Sequence, residues 1–295
     1  MREPMLLPSG HVPMLITASS RLDELIRSAH EVLNEAVKTH KLTELWAAFS
    51  GGQDSIVMAH LVSQHPLFRG VFHIDTLIGI KKTRLFVENT CKRYGWRLIV
   101  KMPATTYPML TIQYAFPGPP QHSEMYKYLK ERPMRQCVIA ARKGNKKSVI
   151  GKVGGMRSQE SARRKQNTEP INKGKEGVWI SPIHNWTKLD CLNYIKAYDL
   201  PRSEVWAKIH RSGDCNCGAF AEEGEMQELE LWFPEEANTL KSLQKIVRLA
   251  KSEGILNAPQ KHCQWGHGTG IPEGQLPLLP MCWNCSIVEH NQGLA

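Results

Sequence analysis

The chain has 295 residues, with 38 Lys plus Arg against 28 Asp plus Glu and a formal net charge of +10. Its 41% hydrophobic and 22% charged residues are those of a folded globular protein rather than a disordered tail, and the length suffices for one large α/β domain or two smaller ones. Apolar runs fall short of the ~20 residues a membrane helix needs, and the proline-broken start does not read as a secretory signal, so a secreted, membrane-spanning or fibrous protein is excluded and a cytoplasmic one expected.

Residues 20–38 place Leu22, Leu25, Ile26, Ala29, Val32, Leu33, Ala36 and Val37 at helical spacing, with Ser20 and Asp23 in a capping-box pattern at the start. The apolar run 45–49 fits a buried strand. A Gly-rich turn follows, then a helix from about Ser55 that must stop before Pro66. Segment 70–75 reads as a second strand, 82–94 as a helix and 97–101 as a third strand. The stretch 103–135, rich in Pro, Tyr and Met, reads as irregular, and 148–153 as a strand ahead of the Gly154-Gly155 turn. Polar 167–177 reads as a mobile loop and 178–183 as a strand, after which Thr187 and Asp190 cap a helix ending before Pro201. The last third holds an acidic helical stretch near 222–236, a helix with Leu240, Leu243, Val247 and Ala250 on one face, and a Cys/His/Trp/Gly tail from 261.

Alternating strands and helices predict an α/β fold, a doubly wound, mostly parallel sheet with helices on both faces. Three parts are expected: an N-terminal arm and helix (1–40), a nucleotide-binding domain (41–220), and a mostly helical, Cys-containing C-terminal subdomain (221–295).

The sharpest motif is Ser50-Gly51-Gly52-Gln53-Asp54-Ser55, between the first strand and its helix. Two glycines let backbone approach an anion, and N–H groups at a helix start point toward it. The Ser50 and Ser55 hydroxyls add donors, and Asp54 is suited to hold Mg2+ or to order the loop. Charge is concentrated as well. Segment 142–175 carries eleven Lys and Arg against Glu160 and Glu169, which points to a nucleotide phosphate, a nucleic acid, or both. Without an export signal, clustered cysteines read as metal ligands or redox groups rather than disulfides. Cys91 and Cys191, in apolar helical surroundings, read as buried fillers.

Ser-Gly-Gly-x-Asp-Ser after a hydrophobic strand resembles the PP-loop of the ATP-pyrophosphatase (adenine nucleotide alpha-hydrolase-like) superfamily, and within it the phosphoadenosine-phosphosulfate (PAPS) reductase family. Four further segments match in order: His73-Ile74-Asp75-Thr76; Gln136-Cys137 with Ala141-Arg142-Lys143; Gly155-Met156-Arg157-Ser158-Gln159-Glu160-Ser161-Ala162-Arg163; and Ser181-Pro182-Ile183 with Trp186-Thr187 and Asp190. Together they span roughly 40–220.

The resemblance implies an adenine nucleotide, ATP or adenylyl sulfate, held by residues 50–55, Asp75, Thr76, Gly155, Arg157 and Arg163. Asp54, Ser55, Arg157 and Cys137 are then the catalytic candidates, with positioning and charge neutralisation doing most of the work. Trp186, Thr187 and Asp190 read as structural, a helix cap under a packed indole. Relatives with an iron–sulfur cluster draw cysteines from positions like Cys137 and Cys215/Cys217. A [4Fe–4S] cluster on Cys137, Cys215, Cys217 and a tail cysteine is therefore expected, with zinc on Cys215, Cys217, Cys282 and Cys285 as the alternative and a Cys282/Cys285 dithiol as a third reading.

The function expected is ATP-dependent adenylation and sulfur transfer to an anionic acceptor such as nucleic acid, through the 142–175 segment and with a separate sulfur donor. The alternatives are a sulfonucleotide reductase served by a thioredoxin-like reductant, and an inactive nucleic-acid-binding module. Against the reductase, assimilatory members end on a lone reactive cysteine, and the Cys282-Trp283-Asn284-Cys285 tail does not resemble that segment.

Overall fold

A computed structural model of the chain describes residues 12–160, 169–174 and 177–267. Helix α1 spans Val12–His40, β1 Glu44–Ala48, α2 Gln53–Ser63, β2 Phe68–Ile74, α3 Lys81–Tyr94 and β3 Leu98–Lys101. Next come α4 Tyr107–Tyr114, α5 His122–Tyr126, a π-helical turn Lys127–Glu131, α6 Arg132–Arg142, β4 Ile150–Val153, β5 Ile171–Gly174 and β6 Gly177–Ile180. Helices α7 Lys188–Ala197, α8 Glu204–Ile209, α9 Glu225–Trp232 and α10 Pro234–Ser252 follow.

The sheet has six strands in the order β3-β2-β1-β4-β6-β5. Strand β4 pairs in parallel with β1, Ile150 opposite Glu44, and with β6, Gly151 opposite Val178. From β1 the strand order grows outward to β2 and β3, then resumes with β4 on the other flank. The order therefore reverses between β1 and β4, and ligands of open α/β sheets bind at the carboxyl ends of strands at such a point. The residues following these two strands are 49–55 and 154–157. This is the doubly wound α/β sheet expected from the sequence, with a helical C-terminal part.

By compactness the chain divides into two units, residues 1–49, 53–71 and 145–201, and residues 50–52, 72–144 and 202–295. In the first, Leu45, Trp46 and Ala47 are fully buried, with Val57, Met58, Ala59 and Leu61 of α2. A strand covered on both faces has no solvent side, which explains the unbroken apolar run. Trp186 is buried, and Thr187 and Asp190 form a reciprocal capping box at the start of α7, bearing out their structural reading. Arg21 grips the Asp190 carboxylate through two 3.0 Å contacts. In the second unit a single core joins Tyr107, Phe116 and Leu129 to Val205, Leu240, Val247 and Trp265. The helices of the last third thus share their core with the helices of 107–142.

Three expectations change. Helix α1 already runs from Val12, so Ser20 lies inside it and is no cap. The irregular reading of 103–135 gives way to α4, α5 and α6: Pro108 sits in the first turn of α4, where its missing N–H is not needed, and Pro133 follows the π-helical turn Lys127–Glu131 inside a continuous helical run from α5 to α6. Within the expected 167–177 loop, β5 pairs antiparallel with β6, Ile171 opposite Ile180. Its partner strand, not its own hydrophobicity, supplies the order.

Candidate functional site

In the first unit the site is built on Asp54, in the first turn of α2. The Arg157 Nε lies 3.0 Å from Asp54 Oδ2, and the two side chains are only 7% and 20% exposed. The pair is ionic without hydrogen-bond alignment, since Arg157 Nε has no partner among the described residues that meets hydrogen-bond geometry. Gly155 brings its backbone against the same turn: a Cβ there would lie 2.8 Å from the Asp54 carbonyl oxygen and 2.9 Å from Ser55 N. The thiol of Cys191, fully buried on α7, feels the Asp54 charge. Burial, followed by the Asp54 charge, pushes that thiol well up. Gln53 contributes a buried Nε2 with no partner among the described residues, and Ser55 is buried. A buried amide donor with no acceptor is costly, and a phosphate oxygen would satisfy it.

In the second unit Ser50, Gly51 and Gly52 follow β1. Gly51 has φ +84°, a conformation side chains rarely adopt, and a Cβ there would come 2.8 Å from Thr83 Cγ2. The Ser50 Oγ accepts from Gly52 N–H at 3.4 Å. Segment 212–214 lies against this backbone: a Cβ on Gly52 would come 3.1 Å from Ser212 Cβ, and one on Gly79 2.7 Å from the Asp214 carbonyl. The hydroxyls of Thr76 and Thr83 donate to the carbonyls of Asp214 and Ser212, each at 2.7 Å. Asp75 accepts from Leu77 N–H at 3.0 Å and from Arg84 at 2.8 Å. At the end of β2, a cavity of about 500 Å³ is lined by His73, Asp75, Ile78, Arg84, Asp214 and Glu236.

A second cavity, about 220 Å³, holds the thiols of Cys215 and Cys217 with Lys130, Asp214, Asn216 and Trp265. Lys130 Nζ contacts Asp214 at 2.7 Å. Burial works against both charges, but each partner outweighs it, holding the Asp214 carboxyl below its usual range and the Lys130 ammonium above its own. Because the folded Asp214 pKa lies below the unfolded value of about 3.9, this carboxylate stabilises the fold above that pH and the contribution is lost as pH falls toward the folded value. In Lys130→Met only Ser212 and His73 still oppose burial at Asp214, so urea unfolding between pH 6 and pH 3 is expected to show a less stable fold at pH 6 whose acid-side loss is smaller or reversed. An unchanged profile would remove that coupling.

The structure does not bring the cysteines together as expected. Among the described residues no three His, Cys, Asp or Glu side chains are grouped to hold a metal ion. Cys137 is fully buried with its Sγ 3.9 Å from the Ile99 carbonyl, and burial pushes its thiol up to about 12. Burial of this kind favours the neutral thiol, and among the described residues Cys137 forms no metal-holding group with Cys215 and Cys217. The expected [4Fe–4S] set therefore does not fit the described residues. Cys282, Cys285 and Arg163 lie outside them. Cys91 and Cys191 are buried, as expected.

Of the basic segment, Lys152 and Arg157 are buried, Lys152 with its Nζ 4.6 Å over the Trp179 ring, while Arg142, Lys143, Lys146, Lys147 and Lys173 are exposed. Arg164, Lys165 and Lys175 lie outside the described residues. Sequence reasoning missed Lys130, Ser212, Asp214 and Cys191 as site residues. The run Ser212-Gly213-Asp214-Cys215-Asn216-Cys217-Gly218, dense in turn formers, was the available signal for the loop; Lys130 carried none. Among the described residues no helix is long and apolar enough to cross a membrane.

The profile of the phosphoadenosine phosphosulfate reductase domain matches residues 44–219, more than half of the chain. The sulfate adenylyltransferase subunit 2 of Sodalis glossinidius (strain morsitans) is 28% identical over 206 residues, a match covering 57% of this chain and 64% of that protein. An adenosine 5'-phosphosulfate reductase of Staphylococcus epidermidis is 25% identical over 201 residues, covering 66% and 77%. A phosphoadenosine 5'-phosphosulfate reductase of Xanthomonas oryzae pv. oryzae (strain PXO99A) is 27% identical over 213 residues, covering 66% and 82%.

Proposed function

The chain belongs to the phosphoadenosine phosphosulfate reductase family, and we propose that it binds an adenylylated sulfate and reduces its sulfur, releasing sulfite and the adenine nucleotide. The observation that carries this reading is Asp214, which lines both the cavity at the end of β2 and the cavity holding the Cys215 and Cys217 thiols. Reducing groups stand beside a space of nucleoside size. The N–H groups of the 50–55 loop and the orphan Gln53 amide take phosphate oxygens. Arg157, held against Asp54, supplies the planar cation that suits a phosphate or sulfate.

A second reading, ATP-dependent adenylation with sulfur transfer to nucleic acid, is favoured by the Ser-Gly-Gly-Gln-Asp-Ser loop and by the exposed cations of 142–147. There Asp54 would hold Mg2+ in competition with Arg157, and the metal would neutralise phosphate charge. Incubation with adenylyl sulfate or its 3'-phosphorylated form, with a thioredoxin-type reductant, is expected to release sulfite. Pyrophosphate release from ATP, stimulated by nucleic acid, with no sulfite from either sulfonucleotide, would replace the first reading with the second.

A further inference from the structure

Reduction of a sulfonucleotide consumes two electrons, and resting on that reading the question is where they come from. The loop Cys215-Asn216-Cys217-Gly218 is fastened at three points. Tyr107 Oη donates to the Cys217 carbonyl at 2.6 Å, and Trp265 Nε1 donates to the Asn216 carbonyl at 2.8 Å. Gly218, at φ +74°, lies so close to the Trp265 indole that a Cβ would come within 2.6 Å of its Nε1. Cys215 and Cys217 stand one residue apart on this segment. The Cys-x-Cys pair thus sits on a loop fixed by its backbone contacts, and both cysteines line an open cavity. Asn216, buried at 6% exposure, adds an Nδ2 without a partner among the described residues, a donor for an incoming oxyanion or sulfur. The Lys130 ammonium at the same cavity opposes a metal cation and favours a thiolate.

We propose that Cys215 and Cys217 form a redox-active dithiol, the electron source for the sulfonucleotide, in place of a lone tail cysteine. In the forward step an Sγ–Sγ bond forms between Cys215 and Cys217, and the sulfur–oxygen bond of the adenylyl sulfate breaks. The electron pair from the thiols goes to sulfur, which leaves as sulfite, the nucleotide leaves with the bridging oxygen on its phosphate, and the thiol protons pass to solvent. A dithiol of the thioredoxin or glutathione class then cleaves the disulfide by exchange.

The tryptic peptide 212–241 contains no internal Lys or Arg and no other cysteine, so the couple can be read directly. The full chain, purified without oxygen, is equilibrated in glutathione buffers of graded potential, alkylated and digested. The peptide is expected to pass from doubly alkylated to unalkylated, lighter by two hydrogens, in a two-electron transition of about 30 mV per tenfold change in the equilibrium ratio. The Cys215→Ser and Cys217→Ser variants should each abolish it. The reduced chain alone should then release about one sulfite per chain from a sulfonucleotide, falling at least 10-fold in either variant. A peptide alkylated at every potential, or one shielded by stoichiometric iron or zinc, overturns the proposal. A clean transition without sulfite from the reduced chain alone, while sulfite appears once a thioredoxin-type reductant is added, overturns the role of the couple as electron source and leaves the reductase reading standing; no sulfite with the reductant either overturns both.

Discussion

Replacing Arg157 by methionine is expected to lower turnover of the nucleotide substrate by about 10²–10³-fold, the cost of losing one preorganised charge at an oxyanion. The same change removes the partner of Asp54. Breaking a buried ion pair costs about 3–5 kcal/mol because one charge is left uncompensated, and the Asp54 side chain, 20% exposed, places this case toward the lower end. Asp54→Asn should destabilise more, because Arg157, at 7%, is the more deeply buried partner. The double variant Asp54→Asn/Arg157→Met is expected to regain most of the lost stability and none of the activity. Urea unfolding alongside kinetics separates the two effects. A fully stable single Arg157→Met variant would show that the pair contributes nothing to folding, and one with full activity would remove Arg157 from the site.

The second large effect is expected at Gly155. In Gly155→Ala the new methyl meets backbone on two sides, 2.8 Å from Asp54 O and 2.9 Å from Ser55 N. No rotamer change relieves a clash with backbone, so the first turn of α2 must shift. A displacement of this kind at a phosphate-holding element costs on the order of 10²-fold in kcat/KM. Gly154→Ala is the control. Its methyl meets only the Trp179 ring, at 3.6 Å and 3.7 Å, ordinary contact that should leave kcat/KM within a few-fold. Equal losses in the two variants would mean that the close approach at 155 does not govern the site.

The sequence made the sheet legible because its central strands are apolar on both faces and its turns are marked by glycine. Leu45, Trp46 and Ala47 could be read as a buried strand and are one. The 50–55 loop and the Arg157 segment were each legible as motifs, but the pairing of Asp54 with Arg157 was not, because only the fold brings residues a hundred positions apart to 3.0 Å. The α4–α6 region was not legible, because proline suppresses a helix reading unless it is known to fall in a first turn, like Pro108, or beside a π-helical turn, like Pro133. Nor was the failure of Cys137 to join Cys215 and Cys217. Cysteine spacing carries no information about whether a thiol faces a cavity or, like Cys137, packs against the Ile99 carbonyl. Lys130 was invisible for a related reason, since its partner Asp214 is 84 residues away.

The pairing of β1 with β4 also sets a timetable. Glu44 meets Ile150, and between them the chain completes β2, β3 and the helices α2 to α6. At about 5–20 residues per second of synthesis, β1 waits roughly 5–20 s on the ribosome with one hydrogen-bonding edge and its Trp46 uncovered. Neither compact unit is a contiguous stretch of sequence, so no truncation point releases one of them early. Such a nascent chain is a natural client for holding chaperones until residue 153 has emerged, and its yield in cells should depend on translation speed more than its final stability suggests.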